Sequence, residues 1–181
     1  MKTNIRSYQG ISPKLGKDVY IDSQACVIGK VDVANDTSVW PMAVIRGDVN
    51  TITIGARSNV QDAAILHVTH DGPFSPGGFA LVIGEDVTIG HQAMLHGCTV
   101  GNRVLIGMGA MVMDGVTIQD EVLLAAGSIV PPNKVLESGF LYRGSPARKI
   151  RELTAKEKEN LHYGAQHYVK MKNQYLNENE S

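Results

Sequence analysis

Three histidines near the middle of the chain have the residue type and the spacing to bind one metal ion. They are His67, which follows a leucine, and His91 and His96, which stand in the segment GHQAMLHGC. Imidazole nitrogens bind zinc, cobalt and iron, and three of them leave a fourth position open for water. Such a site makes a nucleophile from water at neutral pH. A single exposed histidine is usually only solvated, so metal binding depends on whether the fold brings the three together.

A six-residue repeat provides the elements that would position these histidines. Between Leu81 and Pro131 an aliphatic residue returns at almost every sixth position, with a small or β-branched residue two positions before it. A helix would repeat at about 3.6 residues and a half-buried strand at about 2. A period of six is instead typical of a parallel β-helix, in which three hexads close one triangular coil of about 18 residues. The repeating aliphatic residues are Ile83, Ile89, Leu95, Val100, Ile106, Val112, Ile118, Leu124 and Val130.

The same repeat covers the N-terminal half of the chain. Its aliphatic residues there are Ile21, Val27, Val33, Val39, Ile45, Ile54, Val60 and Leu66. The repeat slips by three residues after Ile45, and eleven extra residues stand between Leu66 and Ile83. Because this insertion is rich in glycine and proline, it predicts a surface loop at about residues 70–80.

The repeat divides the chain into three segments. We expect an N-terminal lead-in over residues 1–16, irregular from Ser7 to Gly16, then a β-helix domain over residues 17–135, and a connector with a C-terminal helix over residues 136–181. Thr154 and Glu157 have the spacing of a capping box, so the helix is expected from about Thr154 to Asn177. Its expected role is to pack along the coils and to cap them.

The composition predicts one soluble, ordered domain. The chain has 181 residues, of which 43% are apolar, and a net charge of −1, so its charge does not favour nucleic acid. The sequence contains no segment apolar enough for a membrane span or a secretory signal. Its two cysteines, Cys26 and Cys98, do not make a disulfide framework, and Cys98 occupies a core position of the repeat. A reducing, cytoplasmic location is therefore expected.

Counting hexads assigns the polar residues to the three faces of the coil, named A, B and C. His67 and His96 each follow the aliphatic residue of a face A hexad, one coil apart, so their side chains should stack outward at about 4.8 Å. His91 follows a face C hexad and lies at another edge, so it could reach the other two only from a neighbouring chain. The count runs A, B, C, A, B, C, A over Ile45, Ile54, Val60, Leu66, Ile83, Ile89 and Leu95.

Four short segments together resemble the γ-class carbonic anhydrases, and more closely their loop-trimmed relatives of the YrdA type. They are RGD at residues 46–48, NVQD at 59–62, LH at 66–67 and the GHQAMLHGC segment. The resemblance implies a left-handed β-helix, since the period alone does not fix the hand. It also implies a homotrimer with three metal sites at the subunit interfaces, where His67 and His96 of one chain meet His91 of the next.

The resemblance further implies a cofactor and three catalytic residues. The metal is expected to be Zn²⁺, with Co²⁺ or Fe²⁺ as alternatives, and metal-bound hydroxide would attack CO2 to give bicarbonate reversibly. Gln61 would orient the metal-bound water, and Arg46 would pair with Asp62 across the trimer interface. Asp48 would belong to the same network or cap a corner. The alternative for Arg46, Gln61 and Asp62 is that they only make local hydrogen bonds at corners.

The extruded loop bears on the rate of the expected reaction. In the archetypal enzyme of the family this loop has proton-shuttle glutamates, whereas residues 71–80 contain only one acidic residue, Asp71. Weak or slow hydration, or a substrate such as an activated ester, is therefore expected. A hexapeptide acyltransferase with a histidine base and acyl-CoA along the coil, and a non-catalytic trimeric scaffold, remain alternatives. His70, at the edge of the loop, is interpreted as a solvated loop residue, with a proton relay as the alternative.

Overall fold

The computed structural model describes residues 4–179 as a left-handed parallel β-helix followed by one helix. Residues 1–3 of the predicted lead-in and residues 180–181 of the predicted C-terminal segment lie outside the described residues. The strands are, in chain order, β1 (Ile5–Arg6), β2 (Lys14–Leu15), β3 (Tyr20–Ile21), β4 (Cys26–Val33), β5 (Ser38–Val39), β6 (Val44–Ile54), β7 (Asn59–Val60), β8 (Ile65–His67), β9 (Leu81–Ile83), β10 (Thr88–Ile89), β11 (Met94–His96), β12 (Thr99–Val100), β13 (Leu105–Ile106), β14 (Met111–Val112), β15 (Thr117–Ile118), β16 (Leu123–Leu124), β17 (Ile129–Val130), β18 (Val135–Leu136), β19 (Phe140–Gly144) and β20 (Ala147–Glu152).

The strand register confirms the hexad count. Leu66 lies between Ile45 and Leu95 on face A, which contains β8, β11, β14 and β17. Ile54 pairs with Ile83 on face B, which contains β9, β12, β15 and β18. Face C contains β3, β5, β7, β10, β13, β16 and β19. The long strands β4 and β6 pass from face A to face B.

The interior of each coil is filled by the aliphatic residues of the repeat. Ile45, Leu66 and Leu95 are fully buried, because successive side chains of a strand point to opposite sides and these positions point inward. The small position two residues earlier lets the chain turn, and Ala93, for example, is also fully buried. Cys98 is 1% exposed, which confirms its core position, and burial raises the pKa of its thiol to about 12.

Both insertions in the repeat emerge between faces A and B. In β6 four residues separate Gly47 from Ile52, whereas one residue separates their β4 partners Gly29 and Val31. The extra residues form a bulge that contains Asp48. The eleven-residue insertion is a small hairpin loop, closed by a bridge between Thr69 and Phe79. The two insertions therefore leave the coils in register and enlarge the same edge of the prism.

Both ends of the solenoid contain more strand than expected. The segment from Ser7 to Gly16 was expected to be irregular, and this is wrong for Lys14–Leu15, because β2 pairs in parallel with β4. β1 pairs with the same strand. In the expected connector, β19 and β20 form an antiparallel pair. The division of the chain into three domain segments stays a proposal.

The C-terminal helix α1 (Ala155–Asn179) packs along face C. Its capping box forms as expected: the Thr154 N–H donates to Glu157 Oε2 at 2.9 Å, and the Glu157 N–H donates to Thr154 Oγ1 at 3.2 Å. Farther along the helix, the fully buried Lys172 pairs with Asp36 at 2.9 Å. Among residues 4–179 no helix has the length and apolar character needed to cross a membrane.

Candidate metal centre

His67 and His96 lie side by side at the edge of face A. They end strands β8 and β11 and are register partners, because the buried leucine before each of them directs the next side chain outward. His67 Nδ1 and His96 Nε2 are 3.0 Å apart. Two nitrogens bound to one tetrahedral zinc would lie about 3.3 Å apart, given bonds of about 2.0–2.1 Å. The pair therefore fits two ligands of one metal ion with little movement.

A carboxylate holds the other ring nitrogen of each histidine. His67 Nε2 is 3.0 Å from Asp48 Oδ1, and His96 Nδ1 is 2.6 Å from Asp114 Oδ1. An ionised carboxylate only accepts hydrogen bonds, so each of these nitrogens has the proton when its imidazole is neutral. Metal-binding histidines commonly have such a carboxylate partner.

This arrangement leaves both facing nitrogens without a proton when the two rings are neutral. If Asp48 and Asp114 each accept an N–H, both His67 Nδ1 and His96 Nε2 present a lone pair to the other at 3.0 Å. Two lone pairs at this distance repel each other unless a proton or another cation lies between them. The donor set, two imidazoles with converging lone pairs, therefore fits a divalent metal such as zinc.

His91 lies elsewhere, at the corner between faces C and A. Its Nδ1 is 2.8 Å from Asp62 Oδ2, so this histidine also has a carboxylate partner and keeps Nε2 available. Within residues 4–179 of one chain, no group of three His, Cys, Asp or Glu residues is arranged to hold a metal. The structure thus brings together His67 and His96 and leaves His91 apart. Its supply by a neighbouring chain stays a prediction.

The three residues expected to assist catalysis make contacts within the chain. Arg46 donates to Asp48 through Nη1, and Asp62 binds His91. Gln61 is buried, with its Nε2 donating to Asn59 and its Oε1 accepting the backbone N–H of His91 at 3.2 Å. Both ends of the Gln61 amide are therefore used, and orienting a water would replace or share one of these bonds.

Burial and neighbouring charges favour the neutral form of His67. Its pKa is lowered mainly by desolvation, with further lowering by the charges of Arg46 and His96, while Asp48 acts in the opposite direction. Burial acts to raise the pKa of Asp48, but hydrogen bonds from Arg46 and His67 outweigh it and hold that pKa below its ordinary value. Neutral imidazole is the form that binds metal, so this electrostatic setting suits a ligand.

Sequence reasoning missed Asp114 and Thr69. Asp114 stands 18 residues after His96, about one coil, and this spacing is the signal that could have found it. Thr69 lies at the base of the extruded loop, and its hydroxyl donates to Asp114 Oδ2 at 2.8 Å. His70 is exposed, in agreement with its interpretation as a loop residue.

Known proteins resemble the chain along most of its length. Residues 81–110 and 97–132 match the family model described as bacterial transferase hexapeptide (six repeats). Protein YrdA of Escherichia coli K12 is 52% identical over 98% of this chain and 97% of its own length. Gamma carbonic anhydrase 2, mitochondrial, of Arabidopsis thaliana is 38% identical over 93% of this chain and 60% of its own length. The crystal structure of a hexapeptide transferase family protein from Anaplasma phagocytophilum has a TM-score of 0.88 and 35% identity, and covers 97% of this chain and 99% of that one.

Proposed function

The chain belongs to the hexapeptide-repeat family, among the YrdA-type proteins that are similar to γ-class carbonic anhydrases, and we propose that it is a zinc-dependent lyase for reversible CO2 hydration. The observation that supports this most strongly is the pair of facing nitrogens of His67 and His96, 3.0 Å apart, each on a ring whose other nitrogen faces a carboxylate. Cobalt(II) or iron(II) would suit the same ligands.

The proposed third ligand is His91 of a neighbouring chain. Asp62 fixes this ring through Nδ1, so Nε2 is the nitrogen left for binding. Zinc held by three neutral imidazoles lowers the pKa of a bound water to about 7 and so supplies a nucleophile for CO2 at neutral pH. Asp48 and Asp114 would hold the other two rings in orientation, and Gln61 would orient the attacking water by sharing or exchanging one of its present hydrogen bonds.

An apolar stripe on face A supports assembly with further copies of this chain. The outward positions of its strands are Val44, Ile65, Met94, Met111 and Ile129. Ile65 is 46% exposed, and the corner next to face A presents Met42 and Met108, which are 65% and 58% exposed. If the corner of one chain packs on face A of the next, the contact is head-to-tail, and a rotation of about 120° between chains would close it as a ring of three.

In such a homotrimer Arg46 would also meet the Asp62 carboxylate of a neighbouring chain. Arg46 is partly exposed and Asp62 is 48% exposed, so both can take an additional partner. An ion pair there would fix the register of the two halves of the site, which matters more than its net stability. The two cysteines are unpaired, which supports a cytoplasmic location for the assembly.

Slow turnover is part of the proposal. Asp71, the acidic residue of the loop, accepts the backbone N–H of Gly77 at 2.7 Å through Oδ1. It therefore stabilises the loop and is poorly placed to shuttle protons. Without a dedicated acidic shuttle, removal of the proton from the metal site would limit the rate of CO2 hydration. Because an activated ester is the alternative substrate, its cleavage should be measured in parallel.

The decisive experiment mixes two inactive variants. His91→Ala lacks the ligand supplied to the neighbour, and His67→Ala lacks one of the two local ligands. Each variant alone should lose zinc, whereas every mixed trimer should have one complete site. His70→Ala is the matched control, because His70 is exposed and outside the site, and it should retain zinc fully. Zinc content of purified mixed trimers is the measurement, and mixed trimers without zinc would refute the shared site.

Acyl transfer is the second candidate. The matching family model is described as a transferase, and the similar structure from Anaplasma phagocytophilum is titled a hexapeptide transferase family protein. A hexapeptide coil can serve several activities, so the fold alone does not decide between them. Acyl-CoA turnover that survives removal of zinc, in a variant lacking His67 and His96 together, would favour the transferase. A protein inactive in both assays, yet trimeric, would be a scaffold.

A further inference from the structure

A hydrogen-bonded chain joins the extruded loop to His96. The Thr69 hydroxyl, at the base of the loop, donates to Asp114 Oδ2 at 2.8 Å, and Asp114 Oδ1 lies 2.6 Å from His96 Nδ1. We propose that Asp114 is a positioning residue for His96 and that Thr69 makes the loop base part of this support. The inference deepens the proposed function and rests on it, since it concerns how one proposed ligand is held.

The carboxylate of Asp114 decides which nitrogen of His96 has the proton. Its Oδ1 can only accept, so the neutral ring has its proton on Nδ1 and presents the Nε2 lone pair to His67. The side chains of His96 and Asp114 are 32% and 31% exposed, so water competes only partly for this contact. Thr69 occupies the second oxygen and thereby fixes the plane of the carboxylate.

Backbone packing brings this carboxylate close to the loop. A Cβ at Gly97 would lie 2.4 Å from Asp114 Oδ1 and 2.6 Å from Phe79 Cβ, so only glycine leaves both groups in place. Phe79 pairs with Thr69 at the base of the loop, and Asn50 Nδ2 donates to the Thr69 carbonyl at 3.0 Å. The loop base is therefore tied to the neighbouring bulge and to the His96 turn together.

The two local histidines depend on different parts of the molecule. Asp48, the partner of His67, is also bound by Arg46, which lies on the surface proposed to meet another chain. Asp114, the partner of His96, is bound by the loop. Assembly thus acts on one ligand, and the loop base supports the other directly through Thr69. Asn50 also links the loop base to the bulge that contains Asp48, so a change at Thr69 alters zinc retention chiefly through His96.

The test compares Asp114→Asn, Thr69→Val and Thr69→Ser in the trimeric protein. Asp114→Asn keeps the shape but can present an N–H to His96, and zinc should bind about 10–100-fold more weakly. Thr69→Val removes only the hydroxyl and should weaken binding by a smaller factor, while Thr69→Ser should restore it. Asp120→Asn is the control, because Asp120 holds the backbone N–H of Asn102 at a corner away from the histidines, and its zinc affinity should not change.

A second measurement reports on His96 directly. Nitrogen NMR of the metal-free protein should show His96 protonated on Nδ1, and Asp114→Asn should populate the other tautomer. The cobalt-substituted protein should show a changed visible spectrum in Asp114→Asn and an unchanged one in Asp120→Asn. Unchanged zinc affinity, spectrum and tautomer in Asp114→Asn would overturn the inference while leaving the zinc site standing. If wild-type protein binds no zinc but Asp114 still sets the tautomer, the proposed function fails and the positioning role remains.

Discussion

Replacement of Gly97 by alanine should destabilise the protein through a collision that can be separated from backbone strain. Gly97 has a φ of +51°, and a left-handed conformation costs a non-glycine residue about 1 kcal/mol. The new methyl group would also lie 2.4 Å from Asp114 Oδ1 and 2.6 Å from Phe79 Cβ. Overpacking of this kind costs about 1–3 kcal/mol, so the total loss should be about 2–4 kcal/mol.

Gly139→Ala is the matched control for this change, because Gly139 lies between faces B and C, away from the corner proposed to meet another chain. Gly139 has a φ of +83°, and a Cβ there would meet only the end of the Lys158 side chain, at 3.6 Å or more, so only the cost of about 1 kcal/mol should appear. The free energy of unfolding, measured with urea on the metal-free proteins, gives both values, and zinc titration should show weaker binding for Gly97→Ala alone. Equal destabilisation of the two variants, with unchanged zinc affinity, would contradict the packing argument.

Two further predictions concern a buried charge and pH. Asp36→Ala would leave the fully buried Lys172 without its carboxylate partner and should lower the free energy of unfolding by about 3 kcal/mol. Lys172→Met keeps the apolar part of the side chain and removes the charge, so it should cost much less. Equal losses for the two variants in urea unfolding would contradict the idea that an unpaired buried charge causes the loss. Folding lowers the pKa of His67 below its ordinary 6.5, so just below that pH the unfolded chain binds a proton at His67 more readily than the folded chain does. The free energy of unfolding of the metal-free protein should therefore fall as the pH drops through about 6.5. His67→Gln should show a shallower pH dependence between about pH 5 and 7, and an unchanged slope would assign the effect to other groups.

The repeat made the coil geometry predictable. Each hexad has one buried aliphatic residue, which fixes both the register of its strand and the direction of the neighbouring side chains. Counting three hexads per coil, with the slip after Ile45 and the insertion after Leu66 allowed for, was enough to place His67 beside His96. The strands at the two ends were missed although two of them continue this spacing. Leu15 of β2 stands six residues before Ile21 and pairs with Val33, and Tyr142 of β19 stands six residues after Leu136 and pairs with Leu124. β20 lies outside the repeat and pairs antiparallel with β19, whose edge would otherwise have no partner.

Within the candidate site, hexad positions were predictable and side-chain partners were not. Asp48 lies on the β6 bulge, where three extra residues break the count, so its contact with His67 could not be derived from spacing. Asp114 stands 18 residues, one coil, beyond His96, but many other pairs of polar residues have the same spacing. The sequence feature that distinguishes this pair is Gly97, because a larger residue there would collide with the Asp114 carboxylate. The proposed meeting of His91 with the other two histidines would depend on a second chain, which no intrachain period encodes.

The C-terminal helix changes how the stack of coils can come apart. In a solenoid each coil touches only its neighbours, so opening normally begins at an end and spreads. Here a single 25-residue helix joins distant coils, through the contacts Lys158–Glu121, Gln166–Asp86, Lys172–Asp36 and Tyr175–Tyr20. A terminal coil therefore cannot open without also breaking its own contacts with the helix. An architecture that is linear in its repeats should thus unfold more cooperatively than a bare solenoid, and the histidine edge in its middle should be protected from fraying at either end.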